Sequence, residues 1–361
     1  KRIKFIMAYT TINKSSLHFN TKLYTGNGSN GHAITGVGFQ PDMTWLKNRD
    51  TTNDHELFDA VRGATKTIYP NRTDAEYTNA TGSLTSFNSD GFTVGNGDGA
   101  NKNSSGIAAW NWKANGAGSS NTDGNGITST VSVNTTSGFS IVKYTGTGSA
   151  SATIGHGLGI KPAMVIIRPL GYSGAWWIAH KNLSTDEVLE FNTNAQAPIS
   201  GFGGGGLKYS TFTTSVIGGG NGSSNSDLWN KSGENYIAYC FAEKTGYSKI
   251  GSFVSNGNND GAFIYTGFKS SFILLKKSSG SGTDWYIFNN KSPGYNDNNK
   301  SLRANTSATE ASASGYSMDI LSNGFKIRTS NTALGESGAT YIYYAVGQSI
   351  VGTNNIPANA R

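Results

Sequence analysis

Five histidines, a single cysteine and a thin scatter of carboxylates are the residues here that could do chemistry. His18, His32, His55, His156 and His180 show no paired spacing and no H-E-x-x-H, the pattern that sets two imidazoles on one helix face for a metal. Each therefore reads as a polar surface side chain. Cys240 stands alone inside the apolar run from Tyr236 to Ala242, so it reads as a buried structural thiol and no intrachain disulfide can form. NTDGNG (121–126) starts like a calcium loop, but Ser132 stands where the bidentate glutamate belongs. GFGGGG (201–206) fits G-x-G-x-x-G, yet it precedes the strand-like YSTFTTSV and opens no helix that could meet a pyrophosphate. There is no G-K-[ST] and no G-x-S-x-G.

Glycoside hydrolysis needs two carboxylates facing each other across a sugar. Asp186, Glu187 and Glu190 cluster in sequence but read as a solvated helix face, and Asp59 with Arg62 reads as a surface ion pair. No catalytic group, metal site or cofactor is expected from these patterns.

Aromatic residues remain, since sugar rings stack their apolar faces on exposed Trp or Tyr. Trp176 and Trp177 are adjacent in a strand and must face opposite sides, one into a core and the other outward or to an interface. Tyr172 precedes them in a turn, and Tyr295 stands beside Asn296, Asp297 and Asn298 in a polar loop. The candidate glycan contacts are thus Tyr172, Trp177, Tyr295, Asn296 and Asp297, with a core or interface role as the competing account of each. Trp110 and Trp112 share one face and read as core.

The elements that would position these residues follow from an internal repeat. GFQPDMTWLK (38–47) returns as GIKPAMVIIR (159–168) and GFKSSFILLK (267–276), which makes Lys47, Arg168 and Lys276 equivalent. Trp45, Ile166 and Leu274 are matched in the same way. A second signature, SSGIAAWNW (104–112), returns as KSGENYIAYCF (231–241) and ESGATYIYYAV (336–346). Two signatures in the same order, three times, predict three homologous modules.

MVIIR and FILLK are apolar on both faces, as strands covered on both sides must be. Asn-Gly, Asp-Gly and Ser-Gly pairs separate the runs, as hairpins require. The expected fold is all-β, with three β-sandwich, jelly-roll-like modules in tandem. Only STDEVLEF (184–191) reads as a helix, with Ser184 as N-cap and Glu187 closing a capping box. The expected divisions are an N-terminal attachment arm 1–22, modules at 23–116, 139–246 and 247–348, a polar connection 117–138 and a tail 349–361. TSTVSV within the connection has strand character. The short join between modules two and three predicts that they pack together while module one stands more apart. Within the arm, Ile3, Phe5, Met7 and Tyr9 alternate as in a strand that could dock on a neighbouring sheet edge.

Glycine contributes 48 residues and aromatics 11%, which suits polar loops around buried strands and argues against disorder. The net charge of +7 is modest for this length and reads as a solubility excess, so nucleic acid is not an expected partner. No run reaches about 18 apolar residues, so no membrane insertion is expected. KRIKFIM lacks the apolar stretch of a secretory signal.

MAYTTINKSSLHFNTKLYTGNG (7–28), ITGVGFQPDMTWLKNRD (34–50), LFDAVRG, FNSDGFTV and AWNWKANG together resemble uncharacterised virion-associated, tail-fibre-like or lectin-like proteins of marine tailed phages such as cyanophages. IGHGLGIKPAMVIIR, YIAYCFAEKTGYSKIGSF and SNGFKIRTSN extend the resemblance over nearly the whole chain, although KRIKFI precedes the methionine, Met7, at which such sequences begin. It implies a virion surface protein made in the host cytoplasm, a tail fibre, capsid fibre or decoration protein. The partners implied are other virion proteins and a host-surface glycan, with a homo-oligomer, a trimer by analogy with phage appendages, as the assembly. A polysaccharide-degrading enzyme on the same scaffold and a purely architectural component are the competing functions.

Overall fold

The computed structural model describes residues 10–12, 14–184, 187–195, 207–218 and 228–349. Strands dominate, and among the described residues the strands of each sheet pair antiparallel, with one isolated parallel bridge between Gly126 and Thr153. The expected all-β class holds.

Each sequence repeat contributes one larger and one smaller sheet. In the first repeat the larger sheet has the order Phe19–Thr25, Gly106–Trp112, Met43–Asn48, Glu56–Asp59. The second repeats that order with Phe139–Thr145, Asn235–Phe241, Met164–Pro169 and Trp177–His180, and the third with Ser248–Val254, Thr340–Ser349, Phe268–Lys277 and Tyr286–Asn289. The smaller sheets also correspond. His32–Thr35, Gly91–Val94 and Leu84–Asn88 form one, and Phe263–Tyr265, Gly324–Ile327 and Met318–Leu321 form another. In the second repeat Thr153–Gly155 pairs with Val216–Gly218.

The apolar residues on both faces of the middle strands explain the packing. One face of each larger sheet meets its own smaller sheet. Leu46, Phe58 and Ala109 pack on Ile34, Leu84, Phe92 and Val94, and Ile273, Leu275 and Tyr343 pack on Ile264, Ile320, Phe325 and Ile327. The other face of all three larger sheets converges on a single core. Trp45, Trp110 and Trp112 meet Ile166, Trp176, Tyr239 and Phe191, and Phe272, Leu274, Trp285 and Tyr344 close the cluster. The matched residues Trp45, Ile166 and Leu274 therefore meet at its centre, around an apolar void of about 20 Å³.

Several expectations change. The first repeat is no looser appendage, because its three tryptophans sit in the shared core. The connection 117–138 is built into the second repeat's larger sheet through strands Ser119–Asn121 and Ser129–Asn134. The arm 1–22 ends inside the fold, since Phe19 begins a core strand and Ile12 is buried in the same core. The alternating segment Ile3 to Tyr9 lies outside the described residues, as do the GFGGGG run and the tail from 350 onward. The described residues of STDEVLEF form no helix: Ser184 and Glu187 are hydrogen-bonded to each other, and Leu189–Glu190 forms a strand beside Trp177–His180. Residues 185 and 186 are not described.

Contacts between repeats run head to tail. His55, Trp176 and Trp285 occupy equivalent positions, each just before the last of the four matched strands of its larger sheet. His55 Nε2 lies 3.0 Å from the Arg303 carbonyl of the third repeat. Trp176 Nε1 donates to the Tyr69 carbonyl of the first, and Trp285 Nε1 to the Glu190 carbonyl of the second, at 3.0 and 3.2 Å. First to third, second to first and third to second is a closed ring, the condition under which head-to-tail contacts terminate.

Phe272 sits among Phe19, Trp45, Trp110, Trp112 and Tyr344 with ring centroids 5.5–6.4 Å away. Phe272→Ala should cost about 3–5 kcal/mol in chemical denaturation. Tryptophan fluorescence and far-ultraviolet circular dichroism should follow one coincident transition, whereas separate transitions would mean that the sheets fold independently.

Candidate functional site

Buried ionisable groups are the first place to look for chemistry, because catalysis needs displaced pKa values. Here several of them join one repeat to another. Lys47, Arg168 and Lys276 are all fully buried. Lys47 Nζ lies 2.7–3.1 Å from the carbonyls of Asn48, Thr51, Asn53 and, in the third repeat, Ser307. Arg168 donates to the carbonyls of Arg72, in the first repeat, and Gly174, and lies over the Trp176 ring. Lys276 donates to the Thr283 carbonyl. Burial lowers all three, Lys47 and Lys276 to about 8 and Arg168 to about 10.

Three histidines are buried instead of solvated. His55 accepts from Trp45 Nε1 at Nδ1, because an indole can only donate, so its proton sits on Nε2. Burial pushes His55 well below its ordinary value and takes His156 and His180 to about 4. Asp59 and Arg62 do pair, 2.5 Å apart, but inside the protein, where Tyr239 of the second repeat donates to the same carboxylate oxygen at 2.7 Å. Cys240 is buried and its thiol is pushed up to about 12 by that burial, which suits a structural role. Among the described residues no group of three or more His, Cys, Asp or Glu could hold a metal, and no helix is long and apolar enough to cross a membrane.

The glycan candidates divide. Trp177 is buried in the second repeat's own core, so it presents no face for stacking. Trp176 is buried too, at the seam. A strand whose sheet is covered on both sides leaves neither neighbour exposed. Tyr172 is half-buried, with its hydroxyl 3.0 Å from that of Tyr236 and Lys231 over its ring. Asn296 is held by the backbone: its amide donates to the Ile320 carbonyl and its oxygen accepts from the Ile320 N–H. Tyr295 and Asp297 are exposed, Tyr295 by 66%.

Asn296 and Asp297 rim a broad open depression completed by Asn259, Asp260, Asp319 and Arg328. Its floor is the outer face of the third repeat's smaller sheet. Alternation puts Met318, Ile320, Phe325 and Ile327 inward, which leaves Asp319, Lys326 and Arg328 outward. Lys326 and Arg328 each approach Asp260 at 2.7 Å, and Arg328 reaches Asp319 at 3.1 Å. The hydrogen bond and charge of Lys326, aided by Arg328, hold Asp260 below the usual carboxylate range. A general acid for glycoside hydrolysis needs the opposite shift. The same face carries Phe263 and Tyr265, which single-residue inspection of the sequence passed over.

Compared with known families, the chain matches one described as a domain of unknown function, DUF7483, over residues 14–349. The chain belongs to that family. No curated protein and no solved structure matches it.

One buried carboxylate stands apart. Glu56 accepts from the Ser83 hydroxyl at 2.7 Å, and burial raises it to about 7. A raised carboxyl takes up protons on folding, so its stabilising effect is full below about 4.5 and is lost as pH rises through about 7. Glu56→Gln should therefore stabilise the protein at pH 8, by up to about 3 kcal/mol, and change little at pH 4. The histidines have the reverse sign. In the Glu56→Gln background, stability should fall as pH drops from 6.5 toward 4, where unfolded histidine is protonated and the buried rings are not. Thermal melts across that range check both.

Proposed function

We propose that this protein is a non-enzymatic structural and binding component of a phage particle's surface, a tail fibre, capsid fibre or decoration protein. The observation that carries the reading is where the polar chemistry sits. Lys47, Arg168, His55 and His180 are buried along the seams, each against a carbonyl of another repeat. Exposed rings and mixed charges gather on the outer face of the third repeat. A body joined in this way, with rings and charges gathered on one face, suits display and recognition outside a particle. The resemblance to virion-associated proteins supports the location, and recognition of a host-surface glycan suits the exposed Tyr295 and Asp297 beside the depression. The partners in this reading are other virion proteins and further copies of the same chain.

Immunogold labelling of purified particles, with mass spectrometry of their proteins, tests the location. Gold on intact particles is the expected result, and label confined to the cytosol of infected cells would overturn it. Host envelope polysaccharide incubated with the protein should keep its chain length. Shortening that disappears on Asp297→Asn would replace the binding role with a hydrolytic one.

A further inference from the structure

The three repeats allow an internal comparison at this face. Phe263, Ile264 and Tyr265 pair with Lys326, Phe325 and Gly324. In the first repeat Ala33, Ile34 and Thr35 pair with Thr93, Phe92 and Gly91 in the same register. The inward isoleucine, the central phenylalanine and the glycine coincide. Both glycines are needed because an added Cβ would collide with a carbonyl of the paired strand, that of Ile34 or Ile264. The outward positions differ entirely. Ala33, Thr35, Thr93 and Ser86 in the first repeat are replaced by Phe263, Tyr265, Lys326 and Asp319 in the third. The fold is satisfied by small side chains there, so the aromatic and charged set is an addition that folding does not require.

That addition has the form of a stacking platform. Phe263 and Tyr265 are 46% and 57% exposed on an edge strand. As alternate residues they stand about 7 Å apart on one face. A Cβ on Gly324 would come within 3.0 Å of the Phe263 ring, so the ring leans over bare backbone. Beyond it come Lys326, Asp260, Arg328 and Asp319 in one ion-paired group, and then Asp297 on the far rim, two residues along the chain from the exposed Tyr295. From Phe263–Tyr265 across Gly324–Ile327 and Met318–Leu321 to Asn298, which bridges Met318, is three strand spacings, roughly 14 Å, room for several linked rings. The cations of this face are already bound to carboxylates, and Asp297 adds a negative charge. An acidic polymer finds no net positive charge here, although the chain as a whole carries +7.

We propose that the outer face of the third repeat's smaller sheet binds a chain of uncharged sugar residues, stacked on Phe263 and Tyr265 and hydrogen-bonded by the charged groups between them and Tyr295. This rests on the binding role proposed above and names its ligand class. Affinity electrophoresis of the full chain in gels containing dextran, laminarin or galactomannan, against alginate and heparin, tests it. At least one neutral polymer should retard the protein. The double variant Phe263→Ala, Tyr265→Thr installs the first repeat's residues, so it should keep the wild-type melting temperature while binding roughly tenfold more weakly. Tyr77→Ala, which removes an exposed ring from the first repeat, should bind as wild type. Retardation by acidic polymers alone, by none, or undiminished in the double variant would overturn the proposal. A protein found on particles yet blind to neutral polymers would sink this inference alone, whereas one that binds them but is absent from particles would sink only the location.

Discussion

The whole architecture depends on three sheets that are apolar on both faces. A sheet of that kind has to be covered twice, because exposing either side leaves several large side chains in water. The smaller sheet of each repeat covers one side only. The second side of each larger sheet finds its cover in the other two, and three such faces meeting produce one core. A single repeat cut from the chain would expose Trp45, Trp110 and Trp112, or their counterparts. In the ring each repeat buries both of its faces.

Closing the ring brings polar groups into the interior, where an unpaired one costs about 1–3 kcal/mol or more. The equivalent bases show how this is met. Lys47 sits among backbone carbonyls, which are concentrated acceptors that need no buried counter-charge. Arg168 is less well provided for: its Nε and Nη2 have no hydrogen-bond partner among the described residues, and the Trp176 ring covers it instead. Asp59 and Arg62 follow the other strategy. Burial opposes the charge on Arg62, but Asp59, Tyr239 and Glu76 outweigh it and its pKa rises. Breaking such a buried pair leaves a lone charge inside, which is worse than never having had the pair. Because Tyr239 belongs to the second repeat, the cost of disrupting this pair falls on the ring as well as on the first repeat.

Local pattern carried the strands and the repeat, because Gly-apolar-corner-strand motifs are set by neighbours in sequence. It could not carry the seams. His55 finds its carbonyl at Arg303 and Lys47 one of its own at Ser307, in another repeat, so nothing near either residue announces burial. The same blindness made the first repeat look detachable, since linker length says nothing about which faces are apolar. STDEVLEF failed for a related reason. Its capping-box signal is real as the hydrogen bonds between Ser184 and Glu187, but Leu189 then extends a sheet edge, and that pairing overrides helix preference.

The candidate site was half legible, and the repeat explains which half. Tyr295 and Asp297 lie in a loop whose polar neighbours mark it as surface from the sequence alone. Phe263 and Tyr265 lie in a strand, FIY, whose aromatic and β-branched composition reads as ordinary core. Their exposure becomes visible only when the strand is set against HAIT of the first repeat, with Ile264 matched to Ile34. Three copies of one fold free two of them to diverge on any face that the ring leaves in water. A position that is small in one copy and aromatic in another, at the same register, therefore separates what the fold needs from what a ligand selects. By that criterion the inward residues of the third repeat maintain the sandwich, and its outward rings are not required by it.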